Sequence, residues 1–182
     1  MPLSDAEILE QFGREKTRNA AFAHLVDKYQ QKIYWLVRRM VVSHDDADDL
    51  VQEIFIKVWN NLDRFRQDAQ LYSWMYRIAS NECLQFLQKK KRQNTTSFDE
   101  LTENTADSFG TSDGFSGDQI QQKLYRAIET LPEKQKLIFQ MKYFEEMKYE
   151  EISSVLGTSV GALKASFHLA VKKIEQQLVQ HD

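Results

Sequence analysis

The chain has 182 residues, of which 42% are hydrophobic and 28% charged, a composition that fits one ordinary globular domain or two small ones. No apolar run approaches the roughly 18 residues of a membrane span, and the first residues lack the apolar core of a signal peptide. A single cysteine excludes an internal disulfide, and the cysteine and four histidines do not have the spacing of metal ligands. The net charge of −3 does not exclude nucleic-acid binding, because residues 93–118 hold six acids and no basic residue, whereas residues 1–92 and 119–182 carry +2 and +1.

The first predicted element is an amphipathic helix over residues 22–40. The chain contains only six glycines and two prolines, so we expect an all-α protein. The single cysteine fits the reducing cytoplasm, and no phosphate loop or metal-ligand cluster predicts a cofactor or metal. Hydrophobic residues recur in this stretch at three- and four-residue steps, the spacing of one helix face. They are Phe22, Leu25, Val26, Tyr29, Ile33, Leu36, Val37 and Met40.

The second predicted helix concentrates acid on one face. Ser43 is its predicted N-cap, and first-turn aspartates are favoured by the helix dipole without any functional explanation. Asp49 and Glu53, however, form a like-charge i,i+4 pair that costs a few tenths of a kcal/mol. Periodicity leaves two interpretations open, a solvated face or a protein interface in which acids surround a small apolar spot. The residues of this face are Asp45, Asp46, Asp49, Gln52, Glu53 and Ile56.

An aromatic and basic region follows, with a loop and a third helix for which Ser73 is the predicted cap. Aromatic, arginine and amide side chains on one surface can stack on and hydrogen-bond unpaired bases. The basic run at residues 89–92 also complements a helix C-terminus, so a purely structural interpretation stays open. Cys83 falls on the apolar face, which indicates a buried small side chain rather than a reactive thiol. The candidate residues are Arg64, Phe65, Arg66, Tyr72, Trp74, Arg77, Asn81 and Gln88.

Residues 93–118 are predicted to be a flexible acidic linker between two helical domains, residues 1–92 and 119–182. The segment is rich in Ser, Thr, Asp and Gly and shows no sustained periodicity. A solvated tether is the preferred interpretation, and competition of its acids with DNA for basic surfaces is the alternative.

The C-terminal half is predicted to contain a helix-turn-helix. A first helix has Ile120, Leu124, Ala127, Ile128 and Leu131 on one face, and Pro132 is predicted to start the next. A short helix then ends at Gly157, a predicted left-handed cap, and Thr158 or Ser159 caps a final helix that begins at Val160. The final helix would enter the major groove with its N-terminal end, whereas an ordinary helical hairpin is the alternative.

The outward face of that final helix supplies the candidate duplex contacts. Small residues near its start allow the backbone to approach base edges, and the lysines are suited to hold phosphates. The candidates are Thr158, Ser159, Ala162, Lys164, Ala165, Ser166, His168, Lys172 and Lys173.

These blocks, in this order, resemble the bacterial RNA polymerase sigma factors of the extracytoplasmic-function group, the sigma-70 relatives that keep only domains 2 and 4. DADDLVQEIFIKVW is similar to the family's D-A-E-D-L-V-Q-E-x-F-x-x-x-W block, and DRFR…SWMYRIASN is similar to F-R-x…x-W-L-Y-R-I-A-x-N. The stretch from LPEKQ to AVKKI is similar to domain 4. Together the similarity covers roughly residues 20–92 and 119–176.

The resemblance implies a transcription initiation factor without enzymatic activity. It implies that the acidic face, with Asp49, Gln52 and Glu53 foremost, docks on the β′ clamp coiled coil of core RNA polymerase. Residues 64–81 would melt the −10 element and bind its non-template strand, with Trp74, Arg77 and Asn81 as the leading candidates. The helix-turn-helix would bind the −35 duplex, and domain 4 would also contact the β flap. A partner anti-sigma factor is expected, and membrane insertion is not.

The final helix departs from the family pattern. Members often read V-K-S-R-L-H-R-A-R-K-K-L, and three usual arginines are here Ser166, Leu169 and Val171. Fewer phosphate contacts predict weaker duplex binding by this domain alone, with a flatter salt dependence. An outward Leu169 packs on a partner such as an anti-sigma factor, or it is simply an isolated exposed leucine. Two competing hypotheses are a stand-alone helix-turn-helix regulator and a helical adaptor with no nucleic-acid role.

Overall fold

The computed structural model describes residues 2–96 and 119–180. Over these residues the chain forms helices and one 3₁₀ turn and no strand, so the all-α prediction is confirmed. None of the described helices has the length and apolarity to cross a membrane. The elements are α1 (Asp5–Phe12), α2 (Arg18–Met40), α3 (His44–Asn61), the 3₁₀ turn (Leu62–Arg64), α4 (Leu71–Thr96), α5 (Gln119–Glu129), α6 (Glu133–Tyr143), α7 (Tyr149–Leu156) and α8 (Val160–Gln180).

The chain divides into two compact units, Met1–Cys83 and Leu84–Asp182. Most of the predicted linker, from residue 97 to residue 118, lies outside the described residues. In the first unit α2 packs against both α1 and α3. The predicted apolar face of α2 is its buried face, and the cap at Ser43 is confirmed because its hydroxyl accepts a hydrogen bond from the Asp46 amide at 3.3 Å. The core of this unit includes Leu25, Ile33, Leu36, Val37, Met40, Ala47, Ile54, Val58, Met75, Tyr76 and Ala79.

Helix α1 was not predicted from the sequence. The Glu7 carboxylate accepts a hydrogen bond from the Ser4 amide at 2.8 Å, while the Ser4 hydroxyl accepts one from the Glu7 amide at 3.3 Å, which is a capping box. This pairing lowers the pKa of Glu7. Phe12 at the end of α1 meets the Trp59 ring edge-on, with centroids 5.2 Å apart, and so ties α1 to α3.

Helix α4 begins earlier and ends later than predicted. It starts at Leu71, so the prediction that Ser73 caps it is wrong, and Ser73 is buried in the first turn. The earlier start puts four buried side chains at four-residue steps on one face: Leu71, Met75, Ala79 and Cys83. The helix continues to Thr96, past the predicted domain end at residue 92, since this stretch contains neither Gly nor Pro.

Glu82, whose position on α4 the sequence left unexplained, forms an ion pair with Lys57 of α3. The Lys57 Nζ lies 2.5 Å from the Glu82 carboxylate, which is only 9% exposed as a residue, so the buried charge has a partner. Burial, with a smaller effect of the adjacent Glu82 charge, raises the pKa of the Cys83 thiol to about 12. Cys83 is therefore a buried, unreactive thiol, as predicted.

In the second unit α5, α6 and α7 pack against α8. The core contains Ala127, Ile128, Leu131, Phe139, Ala170 and Ile174, with Leu124, Phe167 and Val171 packed around it. Two details differ from the prediction. Ile120 is 68% exposed, because α5 joins this core only from Leu124 onward. Pro132 is the N-cap of α6 rather than its first helical residue, and its backbone is extended.

Candidate protein-docking and nucleic-acid surfaces

The acidic face of α3, defined as Asp45, Asp46, Asp49, Gln52, Glu53 and Ile56, lies on the outside of the first unit. All of these residues are exposed except Asp46, which is half-buried. Ile56 is 59% exposed, and it sits one turn from Gln52 and Glu53. Three buried residues on the opposite side of the helix, Leu50, Ile54 and Val58, fix the orientation of this face. It therefore presents carboxylates around one large apolar side chain.

The aromatic and basic residues before and within α4 form a second surface. The Phe65 ring follows the 3₁₀ turn and lies 5.3 Å, centroid to centroid, from the half-buried Trp74 ring. Arg64 and Arg66 flank Phe65 and are exposed, as are Arg77 and Asn81 on the Trp74 side of α4. The structure thus brings one aromatic pair together with exposed cationic and amide side chains, as the sequence predicted.

Tyr72 does not join this surface. Its ring lies 4.3 Å from that of Tyr76 and 6.4 Å from that of Tyr29, and the Lys32 ammonium lies 5.3 Å from its centre. Because successive helix residues are rotated by about 100°, Tyr72 lies on the side of α4 opposite Trp74. The neighbouring Tyr29 is partly buried and hydrogen-bonded to Asp5, and both effects raise the pKa of its hydroxyl beyond the usual range. Gln88 is exposed farther along α4, beyond the end of the first unit at Cys83.

Helices α7 and α8 form the predicted helix-turn-helix sequence of helix, glycine turn and helix. Gly157 adopts the left-handed conformation with φ of +65°, and its amide donates to the Ser153 carbonyl at 2.9 Å. Between the two predicted caps, the structure selects Ser159, whose hydroxyl accepts a hydrogen bond from the Ala162 amide at 3.3 Å. The turn is therefore built from local hydrogen bonds that the sequence encodes.

The outward face of α8 carries most of the predicted duplex contacts. Ser166 and Thr158 are half-buried, and Lys173 donates to the Gln135 side chain of α6 at 3.3 Å. Leu169 is 49% exposed, so its outward position is confirmed. The exposed candidates are Ser159, Ala162, Lys164, Ala165, His168, Lys172 and Lys173.

We expect Gly157→Ala to lower the free energy of unfolding of the second unit by about 1 kcal/mol, since a Cβ disfavours the left-handed conformation. No atom lies within 4 Å of a Cβ built there, so the cost is conformational and not a clash. The matched control is Gly161→Ala inside α8, where space is also open and alanine should stabilise the helix by about 0.5–1 kcal/mol. Urea unfolding of both variants measures the difference, and equal effects would contradict this account of the turn.

The sequence comparisons identify the family. The family model of Sigma-70 region 2 matches residues 25–93, and that of Sigma-70 region 4 matches residues 121–174. The ECF RNA polymerase sigma-E factor of Escherichia coli strain K12 is 32% identical over 184 residues, covering 97% of this chain and 95% of that protein. The chain belongs to the extracytoplasmic-function (ECF) RNA polymerase sigma factors. This membership favours the initiation-factor hypothesis over the stand-alone regulator and the adaptor.

Two further proteins are similar to this sigma factor. The ECF RNA polymerase sigma factor SigW of Bacillus subtilis strain 168 is 30% identical over 166 residues, which are 87% of this chain and 89% of that protein. The sigma factor RpoE of Bartonella quintana, solved in complex with the anti-sigma factor NepR, has the same fold with a TM-score of 0.73. It is 21% identical, and the alignment covers 86% of this chain and 96% of that one.

Sequence reasoning missed two side chains beside α8 of this sigma factor. Tyr149, the first residue of α7, lies against the predicted Lys164, and Lys142 of α6 lies against the same tyrosine ring. The three residues lie on three different helices, so helical periodicity carries no signal that they meet. The tyrosine at the start of the first helix of the motif was the only signal in the sequence.

Proposed function

We propose that this sigma factor docks on core RNA polymerase through the acidic face of α3, with the β′ clamp coiled coil as the receiving element. The observation that carries the proposal is the exposure of Ile56 among Asp49, Gln52 and Glu53. A like-charge i,i+4 pair is mildly unfavourable in the free helix. A cationic partner would relieve that repulsion and bury the isoleucine.

The surface around Trp74 is proposed to bind the melted −10 element. Its aromatic pair with Phe65 offers a platform for an unstacked base, while Arg64, Arg66 and Arg77 supply positive charge. Extracting a base costs a few kcal/mol of stacking and pairing, which stacking on the indole and hydrogen bonds to Asn81 would offset. Tyr72 faces Tyr76, so any contribution it makes to this surface is indirect.

Helix α8 is proposed to bind the −35 duplex through its outward face. Ala162 and Ala165 allow close approach to base edges, and Lys164 and Lys172 reach phosphates. Domain 2 would then span residues 1–96, to the end of α4, and domain 4 residues 119–182, with residues 97–118 joining them. Domain 4 would also contact the β flap.

The remaining assignments follow from membership in this family. We propose that the protein acts in the cytoplasm, needs no cofactor and has no enzymatic activity of its own. Among the described residues no group of three His, Cys, Asp or Glu side chains is arranged to hold a metal ion. An anti-sigma factor is a proposed partner, supported by the related fold of RpoE in complex with NepR and by the exposed Leu169.

Run-off transcription with purified core polymerase tests the proposed function. We expect transcripts from a limited set of promoters only when the full chain is added, and sequencing of those promoters would define the −35 and −10 elements. Duplex gel shifts with and without core polymerase provide the second arm. Tight, sequence-specific duplex binding without polymerase, together with no run-off product, would instead support a stand-alone regulator.

A further inference from the structure

Arg18, the first residue of α2, lies against two aromatic rings from other helices. Its guanidinium carbon is 4.4 Å from the centre of the Phe12 ring at the end of α1 and 5.3 Å from that of the Trp59 ring of α3. The Trp59 ring also meets Phe22 of α2 edge-on, with centroids 5.0 Å apart. Aromatic faces attract cations at these distances, so rings from α1 and α3 fix the guanidinium of an α2 residue.

The same guanidinium forms an ion pair with Asp63 of the 3₁₀ turn. A planar guanidinium can lie on an aromatic ring and still donate hydrogen bonds from its edge, which suits arginine to both contacts. The Arg18 and Asp63 side chains are 33% and 52% exposed, and ion pairs with this exposure contribute little to the free energy of unfolding. The contribution of the pair is therefore positional, because the rings fix the guanidinium and the guanidinium fixes Asp63.

Asp63 lies in the short turn that leads into the proposed −10 surface. Leu62 anchors the buried side of this turn, and its carbonyl accepts a hydrogen bond from the Phe65 amide at 3.1 Å. Beyond Phe65, residues 66–70 are exposed and belong to no helix. The orientation of the Phe65 ring therefore depends on the turn before it, and Arg18 holds the exposed side of that turn.

We propose that Arg18 is a positioning residue for base capture at the −10 element and that it acts through Asp63. The inference rests on the proposed binding of the melted −10 strand by the surface around Trp74. Helix α1 then has a role beyond packing, because Phe12 is one of the two rings that orient Arg18. Both α1 and Arg18 lie outside residues 25–93, the range that matches the family model of Sigma-70 region 2.

Direct contact between Arg18 and a DNA phosphate is the alternative, and the two hypotheses differ in the sign of one effect. If Arg18 only supplied charge, Asp63→Asn would free the guanidinium, remove a negative charge next to Arg64 and strengthen DNA binding. If Arg18 positions the turn, the same substitution releases the turn and weakens DNA binding. The direction of the change in Asp63→Asn therefore separates the two hypotheses.

The test measures the affinity of the full chain with core polymerase for a labelled DNA single strand. The strand carries the −10 element of a promoter selected by run-off transcription. Arg18→Gln and Asp63→Asn should each weaken binding about threefold to tenfold, and the double variant should lose no more than the weaker-binding single variant, since both act through one ion pair. Arg14→Gln, which breaks the exposed ion pair with Glu10 in the same unit, is the matched control and should stay within about twofold.

Unchanged or tighter binding by Asp63→Asn overturns the inference, and so does a double variant whose loss is the product of the two single losses. Affinity for core polymerase without DNA should stay within about twofold in every variant, because the acidic face of α3 consists of other residues. A parallel loss of core affinity would show a general disturbance of the fold and would also overturn the inference.

Trp74→Ala, measured with the same strand, separates the inference from the proposed function. If Trp74→Ala binds the strand as tightly as the unsubstituted chain, the proposed −10 surface is wrong and the role of Arg18 falls with it. If Trp74→Ala weakens binding but Arg18→Gln and Asp63→Asn do not, the proposed −10 surface stands and only the positioning role is wrong.

Discussion

Reversing Asp49 and Glu53 together to lysine is expected to weaken binding to core RNA polymerase by about 100-fold or more. Both carboxylates are exposed on the acidic face of α3, where a cationic partner would meet them. Breaking charged pairs in an interface costs about 2–5 kcal/mol, and placing like charges opposite each other adds several more. Fluorescence anisotropy with labelled protein and purified core polymerase measures the dissociation constant directly.

The fold should tolerate this double substitution, so the loss can be assigned to docking. It replaces one like-charge i,i+4 pair with another, and we expect the free energy of unfolding to change by less than about 0.5 kcal/mol. The matched control reverses Glu15 and Asp27, two exposed acids of the same unit that lie off α3, with the same change in net charge. If the control weakened core binding as much as the test variant, the effect would be one of net charge and the docking assignment would be wrong.

The second large effect is expected at promoter opening. Trp74→Ala should reduce open-complex formation by about 10- to 100-fold while closed-complex affinity stays within about twofold, because stacking of a base on an aromatic ring is worth about 1–3 kcal/mol. The ring is half-buried and packs against Phe65, which fixes the orientation of its remaining face. Permanganate reactivity of unpaired thymines, measured alongside filter binding of the closed complex, separates the two steps.

Two further variants distinguish the loss of base stacking from a general disturbance of the fold. Trp74→Phe retains an aromatic face and should recover most of the opening activity. Trp35→Ala removes another half-buried indole from the same unit, on α2, and should leave opening within about twofold of the unsubstituted protein. Equal losses of opening and of closed-complex affinity in Trp74→Ala would count against base capture by this surface.

The features that could be predicted depend on short stretches of chain. The buried face of α2, the cap at Ser43 and the left-handed turn at Gly157 each follow from residues within one or two helical turns. Their physical causes also act over one or two helical turns. These causes are the 3.6-residue period, the unpaired amides at the start of a helix and the conformational freedom of glycine. The exposure of the acidic face followed for the same reason, because burial of Leu50, Ile54 and Val58 turns it outward.

The errors lie where local preference is weak and packing decides. Helix α1 has only eight residues, too short to be stable alone, and it forms where Phe12 can pack against Trp59. Ser73 has the chemistry of a cap, yet extending α4 to Leu71 buries one more leucine in the core. The gain from apolar burial outweighs a single capping hydrogen bond.

Contacts between distant positions depend on how the helices pack, which periodicity does not specify. The partner of Glu82 is Lys57, 25 residues away, and the partner of Trp74 is Phe65 in the preceding loop. The Tyr149 ring of α7 meets Lys142 of α6 and Lys164 of α8, so this cluster draws its three members from three helices. A periodic pattern states which face of a helix is apolar, but the side chain that meets a given residue across the core is set by the packing of whole helices. The family and the three candidate surfaces could thus be predicted from the amino-acid sequence, whereas the pairing of side chains within each surface is decided by the tertiary structure.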